Sequence, residues 1–215
     1  MQRVHGERDA SILPRLAMVG MHLVGVLVAT WLLASDPLSP RRVALLACAW
    51  IYFLRLLATG LWLLKRRVGW AEAFQVGPFL LVIQVSLAWL GARAAAPWGP
   101  VDTLALVLYG LGSFLNTGSE LQRKAWKSHA EHEGRLYTGG LFRLSMHVNY
   151  FGDVVLFSGF ALLTRSLWAW LIPAIMLAGF VFVHIPTLDK YLQSRYGDEF
   201  AEWQRRTKKL VPFVY

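Results

Sequence analysis

Long uncharged runs constrain this chain more than any other feature. Leu16 to Ser35 holds no charge, and its one ionisable group is His22. Val43 to Leu64 is apolar except for Arg55, and Val76 to Ala92 is uncharged. A shorter run covers Thr103 to Thr117. Tyr150 to Thr164 carries only Asp153, and Leu167 to Val183 follows after a short break. A helix needs about 20 apolar residues to cross the hydrocarbon core. The first two runs meet that length, and the later ones extend past their apolar stretches or sit in a thinned bilayer. The expected fold is all-α: a polytopic integral membrane helical bundle of about six transmembrane helices. The fifth and sixth form a tight pair, and Asp189 to Arg206 follows as a C-terminal amphipathic helix bent near Gly197. Six crossings in 215 residues leave room for one domain, 1–215, with no internal repeat or flexible linker.

Composition agrees with lipid as the solvent. Apolar residues make up 56% of the chain and charged residues 16%, against roughly 25% charged in a soluble domain. The lone cysteine, Cys48, excludes an intramolecular disulfide and a cysteine-based metal site. A net charge of +9 could invite nucleic acid, but in so apolar a chain surplus Lys and Arg mark the cytoplasmic ends of spans. Sorted by alternate sides, seventeen Lys and Arg fall with the two termini and the 118–149 loop. These include Arg3, Arg8, Arg15 and Lys65. Only Arg41, Arg42, Arg93 and Arg165 fall on the other side. Both termini are therefore expected in the cytoplasm. The first run is read as a span, not a cleaved signal peptide, because it is long and further spans follow. Membrane lipids and an apolar small molecule or lipid are the expected partners; no nucleic acid is.

Ionisable and polar residues inside or at the ends of spans are functional candidates. Tyr52 and Arg55, three apart, share a helix face. Arg55 suits either a ligand phosphate or an acid on another helix, such as Asp153. Asn116, Glu120, Lys124 and Lys127 are spaced 4, 4 and 3, which makes one helical stripe with Arg123 beside it. Snorkelling explains the lysines but not the Asn and Glu deeper on the stripe. Asn149 and Asp153 sit one turn apart at the mouth of the fifth span. Alone, Asn149 reads as an N-cap. His184, Asp189, Tyr191, Tyr196 and Gly197 follow the sixth span and read equally as an interfacial helix with an aromatic belt. His129 and His132, among acids, read as a solvated loop; no metal site is expected.

Gly139-Gly140-Leu141-Phe142, then Asn149-Tyr150-Phe151-Gly152-Asp153, then Ser158-Gly159-Phe160-Ala161-Leu162 resemble the steroid 5α-reductase family, which reads GGLF, NYxGE and WxGxAL. The tail from Tyr196-Gly197 to Leu210-Val211-Pro212-Phe213-Val214-Tyr215 is similar to the ending of that family and of the related sterol reductases. Asn116 to Glu120 resembles the family's N-x-x-S-D. Lys124 and Lys127 stand where it has two arginines, and Tyr52-Phe53-Leu54-Arg55 is similar to its Y-F-x-R. The resemblance is strongest over 110–215. It implies a substrate-side part, 1–100, and a cofactor-binding part, 101–215.

The resemblance implies NADPH as cofactor and hydride transfer to the activated C=C bond of an enone lipid, such as a 3-oxo-Δ4 steroid. It puts Asn149 at the nicotinamide end and Asn116, Glu120, Lys124 and Lys127 along the ribose and phosphate path. Asp153, His184, Asp189, Tyr191 and Tyr196 complete the pocket, Arg55 reaches a phosphate, and Tyr52 bonds the substrate carbonyl. Lysines in place of forked arginines weaken bidentate phosphate binding. The nearest acid available as an early substrate-binding partner is Asp36, in a loop. Isoprenylcysteine carboxyl methyltransferases offer an alternative, with S-adenosylmethionine as cofactor. Their R-H-P-x-Y would fall on His147 and Tyr150, but Met146 and Val148 replace its Arg and Pro. A non-enzymatic membrane protein with a decayed pocket is the third reading.

Overall fold

The computed structural model describes residues 11–64 and 66–215. Arg3, Arg8 and Lys65, counted above as cytoplasmic charges, lie outside the described residues. Every element among those described is helical: α1 (Ile12–Ala34), α2 (Pro40–Ala58), α3 (Trp70–Ala92), α4 (Pro100–Ser113), α5 (Ser119–Trp126), α6 (Val148–Leu163), α7 (Leu171–Gly179), α8 (Ile185–Tyr196) and α9 (Asp198–Arg206). Single π-helical turns, Thr59–Leu63, Phe114–Gly118 and Phe180–His184, extend α2, join α4 to α5, and join α7 to α8.

The chain is a polytopic membrane protein. Ile12–Ala34, Pro40–Leu63, Trp70–Ala92 and Leu167–Tyr196 are long and apolar enough to cross a bilayer, and Val148–Leu163 is a shorter apolar helix. Large apolar side chains such as Trp31, Val107 and Phe182 are mostly exposed, as a lipid-facing surface requires. The run at Thr103 to Thr117 behaves differently from the others. It lies in α4 and continues through a π turn into the charged α5, so its apolar part is short.

The described residues form two compact units. The first takes those up to Thr103 with Phe160–Ala169; the second takes Leu104–Gly159 with Trp170–Tyr215. In the first, α1 packs along α3, where small residues allow close approach: a Cβ added at Gly25 would sit 3.0 Å from the Leu81 Cα. Arg15 is buried. It donates to the carbonyls of Gly60 (2.6 Å), Leu64 (2.9 Å) and Arg66, in and beyond the π turn that extends α2.

Arg41 and Arg165 share one carboxylate. Both pair with Asp102, at 2.8 and 2.6 Å, and the Gly99 N–H donates to the same carboxylate at 2.8 Å. Asp102 is fully buried. Burial alone would raise its pKa. The hydrogen bonds from Arg41, Arg165 and Gly99, with the Arg41 charge, outweigh burial and hold it well below the usual carboxylate range.

In the second unit, α4 and its π turn lie against α6 in backbone contact. A Cβ on Gly152 would come within 2.5 Å of the Asn116 nitrogen and 2.8 Å of the Gly112 oxygen. Side chains do not fit there, so the glycine of the N-Y-x-G motif is a packing requirement. A separate core joins Leu115, Leu136, Phe142, Met146 and Val148 to Phe200 and Trp203 of α9. The expected amphipathic helix is present as α8 and α9, broken at Gly197, whose φ of 49° suits glycine.

Candidate functional site

The close crossing at Gly152 brings α4 and α6 together at their polar ends. Asn116 Nδ2 donates to the main-chain carbonyl of Asn149 at 3.1 Å. Asn149 Nδ2 donates to Glu120 Oε1 at 3.0 Å, and Arg123 donates to the other Glu120 oxygen. Asn149 lies inside α6, and its side chain reaches across to a neighbouring helix, so it does not act as an N-cap. The even stripe expected from α-helical spacing is interrupted, since Asn116 sits in a π turn while Glu120, Lys124 and Lys127 follow on or just beyond α5. Such a turn re-aims one side chain, and π turns recur at functional sites.

At the far end of α5, Lys127 Nζ donates to the Tyr196 hydroxyl at 2.9 Å and lies 5.3 Å from its ring centroid. Lys124 is half-buried between these two contacts. From Asn116 to Lys127 the helix advances about 16 Å.

A second polar centre adjoins the start of α6. His147 Nε2 meets Asp189 Oδ1 at 2.9 Å, and Lys209 Nζ lies 3.3 Å from Asp189 Oδ2. His147 and Asp189 are both buried. Main-chain bonds from Met146 N to Lys208 O (2.8 Å) and His147 N to Lys209 O (2.9 Å) tie the segment after α9 to the start of α6. The His147 ring is parallel to Tyr150, with centroids 5.6 Å apart; Tyr150 stacks on Phe180 at 4.5 Å, and His184 lies 6.5 Å from Tyr150. Sequence reasoning singled out Asp189 but not Lys209, because nothing local marks a lysine in a basic tail as paired. His147 entered only through the methyltransferase resemblance.

Asp153 is half-buried one turn beyond Asn149. Tyr191, two residues from buried Asp189, lies on another face of α8: it is 52% exposed and accepts a hydrogen bond from Arg195 at 3.0 Å. His132 stacks on Trp126 at 3.9 Å and its Nδ1 is 2.8 Å from the Trp126 carbonyl.

Tyr52 and Arg55 belong to the first unit. Tyr52 is buried, with its ring edge-on to His22 at 5.3 Å. His22 Nε2 is 3.2 Å from Gln84 Nε2, which donates to the Ala49 carbonyl at 3.1 Å. Gln84 was not anticipated; an uncharged polar residue in an apolar run gives little signal. Arg55 is half-buried one turn after Tyr52.

The family described as "Protein of unknown function (DUF1295)" matches residues 64–207. Over 115 residues, 54% of this chain and 42% of the relative, the chain is 27% identical to "3-oxo-5-alpha-steroid 4-dehydrogenase 1" of Rattus norvegicus. Over 143 residues, 54% of this chain and 31% of the relative, it is 24% identical to "Delta(14)-sterol reductase erg24" of Schizosaccharomyces pombe. Over 97 residues, 45% of this chain and 34% of the relative, it is 29% identical to "Probable O-methyltransferase ustE" of Ustilaginoidea virens. The chain spans less than half the length of these curated relatives. With two thirds of its residues matched by one family, this chain is a member of DUF1295, related to the steroid 5α-reductases.

Proposed function

We propose that this protein is a membrane-embedded NADPH-dependent reductase acting on the activated C=C bond of an enone lipid, such as a 3-oxo-Δ4 steroid. One observation carries the reading. The Asn149 amide and the Glu120 carboxylate are bonded at 3.0 Å at the head of a helix whose next turns bring Arg123, Lys124 and Lys127. The chemistry of this donor set fits a pyridine dinucleotide. Asn149 gives its N–H to Glu120, which leaves its Oδ1 to accept from a carboxamide. Glu120 can accept from a ribose hydroxyl, and the cations offset phosphate charge over a length that suits a dinucleotide. Asp153, His184, Asp189, Tyr191 and Tyr196 are assigned to the same pocket, and Arg55 to a phosphate, on the resemblance.

When bound, NADPH supplies the hydride. Reduction of an enone builds negative charge on its carbonyl oxygen, and a donor aimed at that oxygen in a dry site lowers the barrier by a few kcal/mol. Tyr52 is assigned that role. The unequal distribution of Lys and Arg supports termini in the cytoplasm, where NADPH is available.

Calorimetry on detergent-purified protein tests the reading, with absorbance at the reduced-nicotinamide band during incubation with a 3-oxo-Δ4 steroid. Micromolar NADPH binding with steroid-dependent oxidation is expected. Absent NADPH binding overturns it. Heat with S-adenosylmethionine instead would favour methyl transfer, the second reading, which the similarity to an O-methyltransferase and the buried His147–Asp189 pair support. Against that reading, Met146 and Val148, where Arg and Pro would stand, are buried in the core beside Phe200 and Trp203.

A further inference from the structure

We infer that Lys209 is a positioning residue for the nucleotide site: through Asp189 and His147 it fixes the start of α6, and with it Asn149. The inference rests on the reductase reading for its ligand but not for its mechanics.

Three segments distant in sequence converge here. The segment at Lys208 and Lys209 accepts the main-chain N–H groups of Met146 and His147 at 2.8 and 2.9 Å. Lys209 reaches Asp189 Oδ2 at 3.3 Å, and Asp189 Oδ1 holds His147 Nε2 at 2.9 Å. Leu210, the next residue, is fully buried and anchors the segment. Asn149 follows His147 by two residues, and the Phe151 N–H bonds the His147 carbonyl at 3.1 Å, so the residue that Asp189 orients also opens the first turn of α6.

The direction of the relay follows from charge. Asp189 and His147 are buried, while the Lys209 side chain remains 39% exposed. A buried carboxylate that loses its cation must find another partner or take up a proton, and either outcome disturbs its bond to His147. Lys209 can therefore be altered with little loss of packing, yet the effect should reach Asn149. A purely structural tail would need only its main-chain bonds and Leu210; it would be indifferent to the charge at 209.

The test compares K209M and K209R with wild type in detergent. Hydrogen–deuterium exchange on the ligand-free proteins reads the 145–150 segment, and calorimetry reads NADPH affinity. K209M is expected to raise exchange at 145–150 at least tenfold, leaving α1 to α3 unchanged, and to weaken NADPH about tenfold. K209R, keeping the cation, is expected to stay within threefold of wild type in both. Unchanged exchange at 145–150 in K209M, or an equal defect in K209R and K209M, overturns the inference. Raised exchange in K209M, rescued in K209R, in a protein whose wild type binds no NADPH supports the relay and overturns the reductase reading instead.

Discussion

The Asp102 cluster of the first compact unit and the Asn149–Glu120 chain of the second are built in opposite ways. In the first, the charges are closed in on the protein itself. Asp102 is held by Arg41, Arg165 and the Gly99 N–H, and Arg15 is committed to backbone carbonyls. In the second, the polar chain through Asn116, Asn149 and Glu120 is half-buried and runs out into Arg123, Lys124 and Lys127 at the surface. A closed network with all members paired rigidifies a fold; a half-open one keeps donors and acceptors within reach of a ligand. The Asp102 cluster should therefore matter for stability, and the Asn149–Glu120 chain for binding.

The largest effect that could break this comparison is at Asp102. D102A leaves two guanidinium groups without their carboxylate, and removing one partner of a buried pair costs about 3–5 kcal/mol. Thermal unfolding in detergent should show a marked fall. A variant as stable as wild type would place this cluster among the dispensable ones. Next in size is N149A. It leaves the carboxamide of a bound nicotinamide without the acceptor assigned to it, and an unsatisfied buried donor costs about 1–3 kcal/mol, so NADPH affinity should fall roughly 10- to 100-fold, with a smaller fall in unfolding temperature from the lost Glu120 bond. The reverse pattern, lost stability with intact affinity, would make Asn149 a structural residue like those of the first unit.

G152A sharpens the same contrast. Its new methyl meets backbone on both sides, and overpacking of that kind costs about 1–3 kcal/mol. Because it separates Asn116 from Asn149, stability and NADPH affinity should fall together, as measured by paired melting and calorimetry. The smallest effect is a pH dependence. Asp102 is held below its unfolded value, so the unfolded chain takes up the proton first as pH falls. Its contribution is complete above about pH 4 and is lost as pH drops further towards the folded value. The stability difference between wild type and D102N should be constant from neutral pH down to about 4 and shrink below it. A difference that stays constant through the acid range below pH 4 would show that Asp102 is not held below its unfolded value.

Helices long enough to cross lipid were legible because an uncharged run of that length has few other stable fates. The break at Gly197 was legible because glycine interrupts an otherwise regular amphipathic pattern. The GGLF and N-Y-x-G runs carried the family resemblance, but the physical duty of Gly152 was not readable from them. Contact between Asn149 and Glu120 depends on a π turn and on two backbones meeting where side chains are absent. For Arg15, Arg41 and Arg165 the sequence offered only a side of the membrane, because sequence position says nothing about which carbonyls or carboxylates will be nearby. Tyr191 and Asp189 came among the candidates together on the resemblance, and a helix turns two residues of that spacing to different faces.

What the amino-acid sequence determined by itself was the solvent: hydropathy and the placement of charge commit this chain to helices in lipid, since each helix satisfies its own backbone and needs no distant partner. Only the tertiary structure decided which polar groups are used up and which stay available. Pairing among residues 41, 102 and 165, or among 147, 189 and 209, is a matter of distances between segments far apart along the chain, and no local pattern encodes those distances.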